Sequence, residues 1–341
     1  MCLAVGNIIS FITAVTNVLY QFEKKSDYMA FFCGVLIVSV EVQIHLKQFS
    51  SNFYREQFQK LFNWVQELPK KKFDEILGNK PARVIQRMRV YSSAFFVGYN
   101  LNYIITASAY AIRVTWKVVD RRPFLRVPFI SNDHPYFYTI DTINCIFCFI
   151  SVGASCPILD CPLVIIGAQL MGFLDIIKDA IKHLQKNEEK SKYSQILRHT
   201  FQHHFEFIEY LNKFNESIRF ASLFQFLGSI LMFLCTISTI MVFPSEILMY
   251  QNIFCVFLQL ALICFFGQLI ENKTKHIYEE LCQINWYDLS FADKKRFLIM
   301  LRMSQREYCV KAGGMYPINL PMLIQIVKVA VTYCTIMVTF I

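Results

Sequence analysis

Seven apolar stretches dominate this sequence of 341 residues and decide what it can fold into. Each is long enough to cross roughly 30 Å of hydrocarbon at about 1.5 Å per helical residue. They lie near residues 1–20, 28–46, 90–114, 136–174, 220–243, 247–270 and 318–341. The composition agrees, because 55% of the residues are hydrophobic and only 17% are charged, against about 25% charged in soluble domains. The sequence therefore predicts an all-α membrane protein with seven transmembrane helices.

The fourth stretch, residues 136–174, carries two prolines and Asp160 near its middle, so it could form one span or two. Lysine and arginine settle the choice, because connections rich in these residues stay on the cytoplasmic side of a membrane. Of the 34 basic residues, nine lie within 49–89, eight within 178–219 and eight within 273–311. The first two of these segments share a side only if two spans separate them, so the fourth stretch counts once. This topology places the amino terminus in the cytoplasm and the carboxyl terminus outside the cell.

The basic connections are long, and they keep the spacing of amphipathic helices. Apolar residues recur every three to four positions among the charges of 175–220 and 271–310. We expect helices four to seven to extend through these segments into a packed cytoplasmic anchor layer. The predicted parts are a membrane bundle of helices one to six over 1–270, with cytoplasmic extensions at 49–89 and 175–220, an anchor segment over 271–312, and a terminal helix over 313–341.

Polar side chains form one stripe along the otherwise apolar last span. Gln325, Lys328, Thr332, Thr335 and Thr339 follow one another at spacings of three and four residues, which places them on one helix face. In lipid such a face must contact protein or water. The stripe therefore predicts either the wall of a pore, which needs several copies around an axis, or a contact between helices.

Gly313, Gly314 and Pro317 stand between the amphipathic anchor segment and the last span. Glycine adopts positive φ without strain, and proline can begin a helix. These residues therefore predict a sharp change of chain direction and are candidate hinge residues.

Other polar residues yield weaker candidates. Glu41 lies inside the second span, where a carboxylate is either functional or paired with His45 one turn away. His199, His203 and His204 have ligand-like spacing on one helix, but no second element supplies partners, so we predict no metal site. No combination of nucleophile and base and no phosphate loop is present. We expect neither an enzyme nor a cofactor, and a chain this apolar is no candidate for nucleic-acid binding.

The sequence from 285 to 340 resembles the insect odorant receptor family. The shared pattern is a Trp-Tyr pair, a Ser-Gln at the end of an amphipathic helix, a Gly-Gly turn, and a last span with Lys and Tyr-x-Thr. In this sequence these residues are Trp286, Tyr287, Ser304, Gln305, Gly313, Gly314, Lys328, Tyr333 and Thr335. Gly267-Gln268 and the segment from Asp160 to Gln169 are also similar to the family. Cys282 and Val331 depart from it, since the family often has tyrosine at both positions.

The resemblance implies a ligand-gated, non-selective cation channel in the plasma membrane of sensory neuron dendrites. This chain would be the odorant-binding, tuning subunit of a heterotetramer with a shared odorant co-receptor subunit (Orco type), in contact with membrane lipid. The last span of each subunit would line one central pore. Matching the family's terminal span places Ile336 at the hydrophobic gate and Thr339 one turn outward. The alternatives are a gustatory-type channel of the same superfamily and a metabotropic seven-helix receptor.

The outer halves of spans two, three, four and six contain apolar, aromatic and hydroxyl side chains at helical spacing. They predict an apolar chamber with a few hydroxyls, which suits a small volatile molecule. The resemblance implies a ligand pocket among the same helix halves. The candidate ligand-binding residues are Phe31, Phe32, Val35, Tyr103, Thr106, Tyr110, Ile143, Phe147, Tyr250, Phe254 and Phe257. For any one of them, packing in the core or at the lipid interface is the alternative.

Overall fold

The architecture is almost entirely helical. The computed structural model describes residues 2–24, 28–71, 73, 78–119, 127, 130, 134–186, 190–306 and 308–340. Within these residues the chain forms ten α-helices and one short β-hairpin. The helices are α1 (Cys2–Lys24), α2 (Tyr28–Phe53), α3 (Arg55–Glu67), α4 (Lys80–Val119), α5 (Phe137–Lys186), α6 (Lys190–Ser217), α7 (Arg219–Val242), α8 (Ile247–Cys282), α9 (Phe291–Ser304) and α10 (Leu320–Phe340). The strands β1 (Lys311–Ala312) and β2 (Tyr316–Pro317) pair antiparallel.

Each of the seven predicted spans corresponds to a helix over most of its described residues. Five segments are long and apolar enough to cross a membrane by length and composition: Val5–Glu23, Ala30–Phe53, Phe137–Gln185, Arg219–Val242 and Ile247–Cys282. The other two predicted spans lie in α4 and α10. In α4, residues such as Asn100 and Asn102 lower the hydropathy. Helix α10 has 21 residues, about 31 Å at 1.5 Å per residue, which matches the thickness of the hydrocarbon layer.

The polar side of helix α1 faces the interior of the bundle, which is the arrangement expected for a helix surrounded by lipid. Its buried polar residues are Asn7, Ser10, Thr13, Asn17 and Gln21, and its exposed apolar residues are Val5, Ile8, Ile9, Ile12, Leu19 and Phe22. The Asn7 side chain donates to Ser155 Oγ at 3.0 Å and accepts from Ser151 Oγ at 2.7 Å, which ties α1 to α5. In hydrocarbon these groups find partners only inside the protein.

Helix α5 is the central element of the bundle. It runs for 50 residues without a break, although Pro157 and Pro162 lie inside it. The expectation that the fourth apolar stretch is one span is confirmed. Prolines are tolerated in such helices because neighbouring helices and side chains satisfy the carbonyls that lose a partner. Helix α5 packs on α4 along much of its length and also contacts α1, α2, α6 and α8.

A second helical layer continues the bundle; we call it the extramembrane layer, and its place outside the membrane stays a prediction. Helices α5 and α8 run into it, and α6 leads into α7 with a break only at Ile218. Its core contains Leu184, Leu197, Leu211 and Phe297, all at most 2% exposed. Helix α9 packs on α6 and α8. The side of the membrane on which this layer lies stays a prediction.

The expected change of direction before the last helix takes the form of a β-hairpin. Gly313 and Gly314 have φ of 61° and 77°, a conformation in which a Cβ would be strained. The N–H of Gly313 donates to the carbonyl of Arg219, and Arg219 Nε donates to the carbonyl of Gly313, both at 3.1 Å. Pro317 lies in β2, opposite Lys311. The hairpin is thus fixed to the start of α7, and hinge motion of these residues stays a prediction.

Gly267 sets the distance between α8 and the segment that enters α10. A Cβ at this position would overlap the carbonyl oxygen of Ile318. One residue further, Gln268 Oε1 accepts from the backbone N–H of Leu320 at 3.3 Å. The side chain of Asn319 donates to Glu271 Oε2 at 3.4 Å. The start of α10 is therefore held directly against α8.

Replacing Gly267 with alanine should lower the free energy of unfolding by roughly 1–3 kcal/mol, because the added methyl group meets a backbone carbonyl. Gly98→Ala is the matched control, since a Cβ at Gly98 in α4 meets no atom within 4 Å. That variant should be neutral or stabilised by up to about 1 kcal/mol. Thermal unfolding of the purified protein in lipid nanodiscs measures both. Equal stability of the two variants would show that α8 and α10 separate freely at this point.

Buried charge in the extramembrane layer centres on Glu206 in α6. Burial alone would raise the pKa of Glu206, but hydrogen bonds from Lys71 and Trp64, together with His203 Nδ1 at 3.6 Å from the carboxylate, outweigh it and lower the pKa to about 2. The Trp64 Nε1–Glu206 Oε1 distance is 3.1 Å, and Lys71 forms an ion pair with the same carboxylate. The neighbouring His204 is 3% exposed, and burial lowers its pKa to about 4 from 6.5. At neutral pH, His204 is therefore uncharged.

The stability of this layer should fall in mild acid because of His204. The unfolded chain takes up a proton near pH 6.5, whereas the folded chain resists it until about pH 4, so the contribution is complete above 6.5 and is lost toward 4. The difference corresponds to about 3 kcal/mol at most. His204→Leu should flatten the unfolding temperature between pH 7 and 4.5, whereas His276→Leu, at an exposed histidine, should retain the slope. An unchanged slope in His204→Leu would assign the acid sensitivity to other groups.

Candidate ligand-binding chamber

A chamber of about 100 Å³ lies between α2, α4, α5, α7 and α8. Its walls are mainly apolar, with Leu36, Ile37, Phe149, Met232 and Val256 among the lining residues. For scale, an engineered apolar cavity of about 150 Å³ accepts benzene. The chamber thus has the dimensions of a site for one small, mostly apolar molecule.

A network around Asp160 lies next to the chamber, and we call the two lining residues that connect to it, Tyr103 and Gln259, the floor. Asp160 Oδ1 accepts from Lys47 Nζ at 2.7 Å, and Oδ2 accepts from Tyr99 Oη at 2.8 Å and Gln259 Nε2 at 3.1 Å. Tyr103 lines the chamber, and its Oη lies 3.3 Å from Tyr99 Oη. The Lys47 and Asp160 side chains are 7% and 13% exposed. The network thus joins α2 and α5 through a buried ion pair and connects α4 and α8 to it through hydrogen bonds.

The network continues into α7 and separates two cavities. Gln259 Nε2 also donates to Gln225 Oε1 at 3.3 Å, and Gln43 Nε2 donates to the backbone carbonyl of Gln225 at 3.3 Å. A second cavity, of about 40 Å³, is lined by Lys47, Asp160, Gln225 and Gln259. Because Gln259 belongs to both linings, its side chain forms part of the partition between them.

One wall is fixed by hydrogen bonds between α4 and α8. Gln251 Nε2 donates to Thr106 Oγ1 at 3.0 Å and to Asn102 Oδ1 at 3.2 Å. Asn102 Nδ2 and Thr106 Oγ1 each lie 3.2 Å from Cys255 Sγ. The side chains of Thr106 and Cys255, which line the chamber, are therefore held in place from outside it.

Tyr110 lies two helical turns from Tyr103 on α4, about 10 Å at 1.5 Å per residue, and also lines the chamber. Its ring stacks on Phe149 of α5, with ring centroids 4.8 Å apart. Its hydroxyl has no hydrogen-bond partner among the residues that the structure describes. The chamber therefore has an aromatic upper part above a hydrogen-bonded floor.

A family model for the 7tm odorant receptors matches residues 28–331. This chain belongs to that family. Curated relatives agree: the receptor is 24% identical over 181 residues to putative odorant receptor 83c of Drosophila melanogaster, and 22% identical over 145 residues to odorant receptor Or2 of Anopheles gambiae. These matches cover 47% and 41% of this chain and 44% and 38% of the relatives, so the chain spans less than half the length of each relative.

Solved structures confirm the fold. The receptor superposes on the olfactory receptor OR5 of Machilis hrabei with a TM-score of 0.80 at 12% identity, covering 98% of this chain and 87% of that one. The complex of OR5 with eugenol gives a TM-score of 0.77, also at 12% identity, covering 99% and 88%. Family and fold together identify this member of the family as a multi-pass protein of the plasma membrane.

The structure brings three of the predicted ligand-binding residues of the receptor to the chamber, namely Tyr103, Thr106 and Tyr110. The other eight lie outside its lining: Phe31, Phe32, Val35, Ile143, Phe147, Tyr250, Phe254 and Phe257. The last five of these are at least 41% exposed. The reason is helix rotation, since α2 presents Cys33, Leu36 and Ile37 to the chamber rather than the neighbouring aromatic residues. Ligand contact by those eight residues is a prediction that this chamber does not support.

Several lining residues were not singled out by sequence reasoning. Ser229 and Met232 come from α7, which was not expected to contribute, and Asn252 and Gln259 come from α8. Amide side chains within an apolar span were the available signal, because they must find partners inside the bundle. The opposite charges of Lys47 and Asp160, in neighbouring spans, were a second signal.

The predicted polar stripe lies on the outer face of α10. Gln325, Lys328, Thr332, Thr335 and Ile336 are all exposed, whereas the side chain of Thr339 lies outside the described residues. The opposite face is buried against the bundle at Ile326 and Ala330, both 7% exposed. Tyr333 Oη lies 3.0 Å from Ser238 Oγ of α7. The stripe thus faces away from the rest of the helical bundle.

The remaining candidates have other surroundings. Glu41 is fully buried, and the ring of His45 packs edge-on against Phe11 with centroids 5.9 Å apart. Among the described residues, no group of three His, Cys, Asp or Glu side chains could hold a metal ion.

Breaking the Lys47–Asp160 pair on one side should destabilise the receptor strongly. A buried charge without its partner costs roughly 3–5 kcal/mol, so Lys47→Met and Asp160→Asn should each lower the unfolding temperature clearly. The double variant should recover part of the loss. Glu209→Gln, which breaks a pair whose carboxylate is 50% exposed, is the control and should cost less than about 1 kcal/mol. If the double variant were as unstable as the two single losses added together, the residues would not be coupled.

Removing the ring of Tyr110 should weaken ligand binding to the receptor. Tyr110→Ala loses aromatic packing and one hydroxyl, about 1–3 kcal/mol of binding free energy. Phe254→Ala is the matched control, because Phe254 is 51% exposed and lies outside the chamber lining. Binding of volatiles to the purified receptor and surface expression in cells measure the two effects separately. Equal loss of affinity in both variants would place the ligand elsewhere.

Proposed function

We propose that this chain is the odorant-binding, tuning subunit of a heteromeric, odorant-gated, non-selective cation channel. The observation that carries the proposal is the chamber itself. It is small, mainly apolar and bounded by a few fixed polar groups, and it lies inside the helical bundle of an odorant receptor family member. Sites for small molecules have this character in general. A small volatile molecule bound in the chamber opens a pore formed outside this bundle.

The outer face of α10 supports a pore shared between subunits. Threonine, glutamine and lysine side chains on a membrane helix are costly in lipid, so Gln325, Lys328 and Thr332 require a protein or water environment. One helix cannot enclose a channel, so the stripe lines a pore only when several subunits surround an axis. In this arrangement Ile336 contributes to a hydrophobic gate that closes by excluding water, with Thr339 one turn outward.

A shared odorant co-receptor of the Orco type supplies the other subunits of the proposed heterotetramer. The extramembrane layer offers apolar surface for such an assembly. Phe291 at the start of α9 is 88% exposed, and Met315 and Tyr316 of the hairpin are 68% and 60% exposed. Exposed apolar surface of this kind is typical of interaction sites. The proposed orientation places this layer and the amino terminus in the cytoplasm and the carboxyl terminus outside.

The ligand class follows from the chamber and has support from a related fold. A solved structure of Machilis hrabei OR5 contains eugenol. We extend the small-volatile class, not that compound, to this chain. The family match favours the odorant over the gustatory branch. A metabotropic receptor would carry its amino terminus outside, so antibody labelling of terminal epitopes on intact cells distinguishes it from the proposed channel.

The decisive experiment records odorant-evoked current in cells that express this chain with and without the co-receptor subunit. Current should require both, and Thr332→Cys should make it sensitive to a positively charged thiol reagent, because fixed charge in the pore repels cations. Ala330→Cys, on the buried face of α10, is the matched control and should stay insensitive. Wild-type current measures any reaction of native cysteines. Odorant-evoked current in which Thr332→Cys and Ala330→Cys are equally insensitive would remove α10 from the pore.

A further inference from the structure

Tyr99 and Gln259 use their hydrogen-bond donors within the protein, and Lys47 lies outside the chamber lining. Lys47, Tyr99 and Gln259 direct three donors at Asp160. The single phenolic proton of Tyr99 goes to the carboxylate, because an ionised acceptor is the stronger one. Between the two tyrosine hydroxyls, 3.3 Å apart, the donor is therefore Tyr103. Its proton points toward Tyr99, and its lone pairs remain available.

Gln259 likewise has its donors in use and an acceptor oxygen available. Its amide nitrogen donates to Asp160 and to Gln225 Oε1, which uses both of its hydrogens. Exchanging the nitrogen and oxygen of this amide would turn the carbonyl toward a carboxylate, so repulsion fixes the assignment. Gln259 Oε1 accepts no hydrogen bond from the residues that the structure describes. The floor thus offers two acceptor oxygens, Tyr103 Oη and Gln259 Oε1, without a spare donor from either residue.

The floor also has no net charge to offer a ligand. Asp160 is neutralised by Lys47, and three hydrogen bonds occupy its oxygens. A neutral donor, such as a hydroxyl group, can satisfy an acceptor on the floor. An ether oxygen placed at the same point would face acceptor oxygens and leave them unpaired, which is costly in a buried site.

We infer that the chamber selects small neutral alcohols and phenols over ethers of the same size, with the ligand hydroxyl donating to Tyr103 Oη or Gln259 Oε1 at the floor. This inference rests on the proposed function, since it names the ligand class of the same chamber. The upper part does not oppose it, because the Tyr110 hydroxyl, which has no hydrogen-bond partner among the described residues, can rotate to donate or to accept. Selectivity therefore arises at the floor, where Asp160 fixes the direction of each hydrogen bond.

Isomeric ligands provide a direct test, because they hold size and composition constant. One pair is 4-methylphenol and methoxybenzene, and the other is 1-hexanol and 1-methoxypentane. Binding is measured on the full chain in lipid nanodiscs, from the ligand-induced rise in unfolding temperature, and gating is recorded in cells with the co-receptor. The hydroxyl compound of each pair should bind about tenfold more tightly, as expected for one buried hydrogen bond.

Two matched variants locate the preference. Tyr103→Phe removes one floor acceptor and keeps the ring, so the affinity ratio within each pair should fall by several fold. Tyr136→Phe, at an exposed tyrosine outside the chamber lining, should leave the ratio unchanged. Equal loss of the ratio in both variants would overturn the assignment to the floor.

The wild-type comparison decides the inference whether or not the variants fold. Equal binding of both isomers, tighter binding of the ethers, or no binding of either hydroxyl compound would overturn it. The proposed channel function is judged separately by current. If the hydroxyl compounds bind with the expected preference and neither they nor other volatiles evoke current with the co-receptor, the channel function fails and the ligand class stands.

Discussion

A carboxylate inside a lipid-embedded bundle must be neutralised and hydrogen-bonded, and the interior of this receptor is organised around how Asp160 meets that requirement. Its partners come from α2, α4 and α8, while α5 supplies the carboxylate itself. The same bonds use up the donors of Tyr99 and Gln259 and thereby decide which atoms remain for a ligand. One electrostatic requirement thus fixes the packing of four helices and the chemistry of the chamber floor.

The wider bundle obeys the same rule with weaker groups. Helix α1 turns its amide and hydroxyl side chains toward α2 and α5 and leaves its isoleucines to the lipid. Helix α10 has the opposite arrangement, because its polar stripe is exposed and its apolar side is packed against the bundle. The polar side chains of α1 have partners within the chain, whereas under the proposed function those of α10 face a pore shared with other subunits. The contrast distinguishes a structural polar face from one available to a pore.

The sequence was sufficient for the spans, because helix length and hydropathy are local properties. The single fourth span and the extramembrane extensions followed from charge distribution and apolar spacing. The chamber lining depended instead on helix rotation, which tertiary contacts such as Asn7–Ser151 and Gln251–Thr106 determine. Candidates chosen as aromatic residues at helical spacing, such as Phe254, therefore fell on the outer surface. The hairpin could not be predicted either, because it depends on a tertiary contact: Gly313 is bound by Arg219, 94 residues away in the sequence.

Helix α8 connects the chamber to the proposed pore. Gln259 lies at the chamber floor, and Gly267 meets the segment entering α10 eight residues later, about 12 Å along one rigid helix. Glycine at that contact leaves no side chain to absorb a displacement, and Gln268 and Glu271 bind the first residues of α10 directly. Under the proposed function, a ligand that shifts α8 at the floor necessarily moves the start of α10. The close packing at Gly267 and the hydrogen bonds at the floor are then coupled through α8.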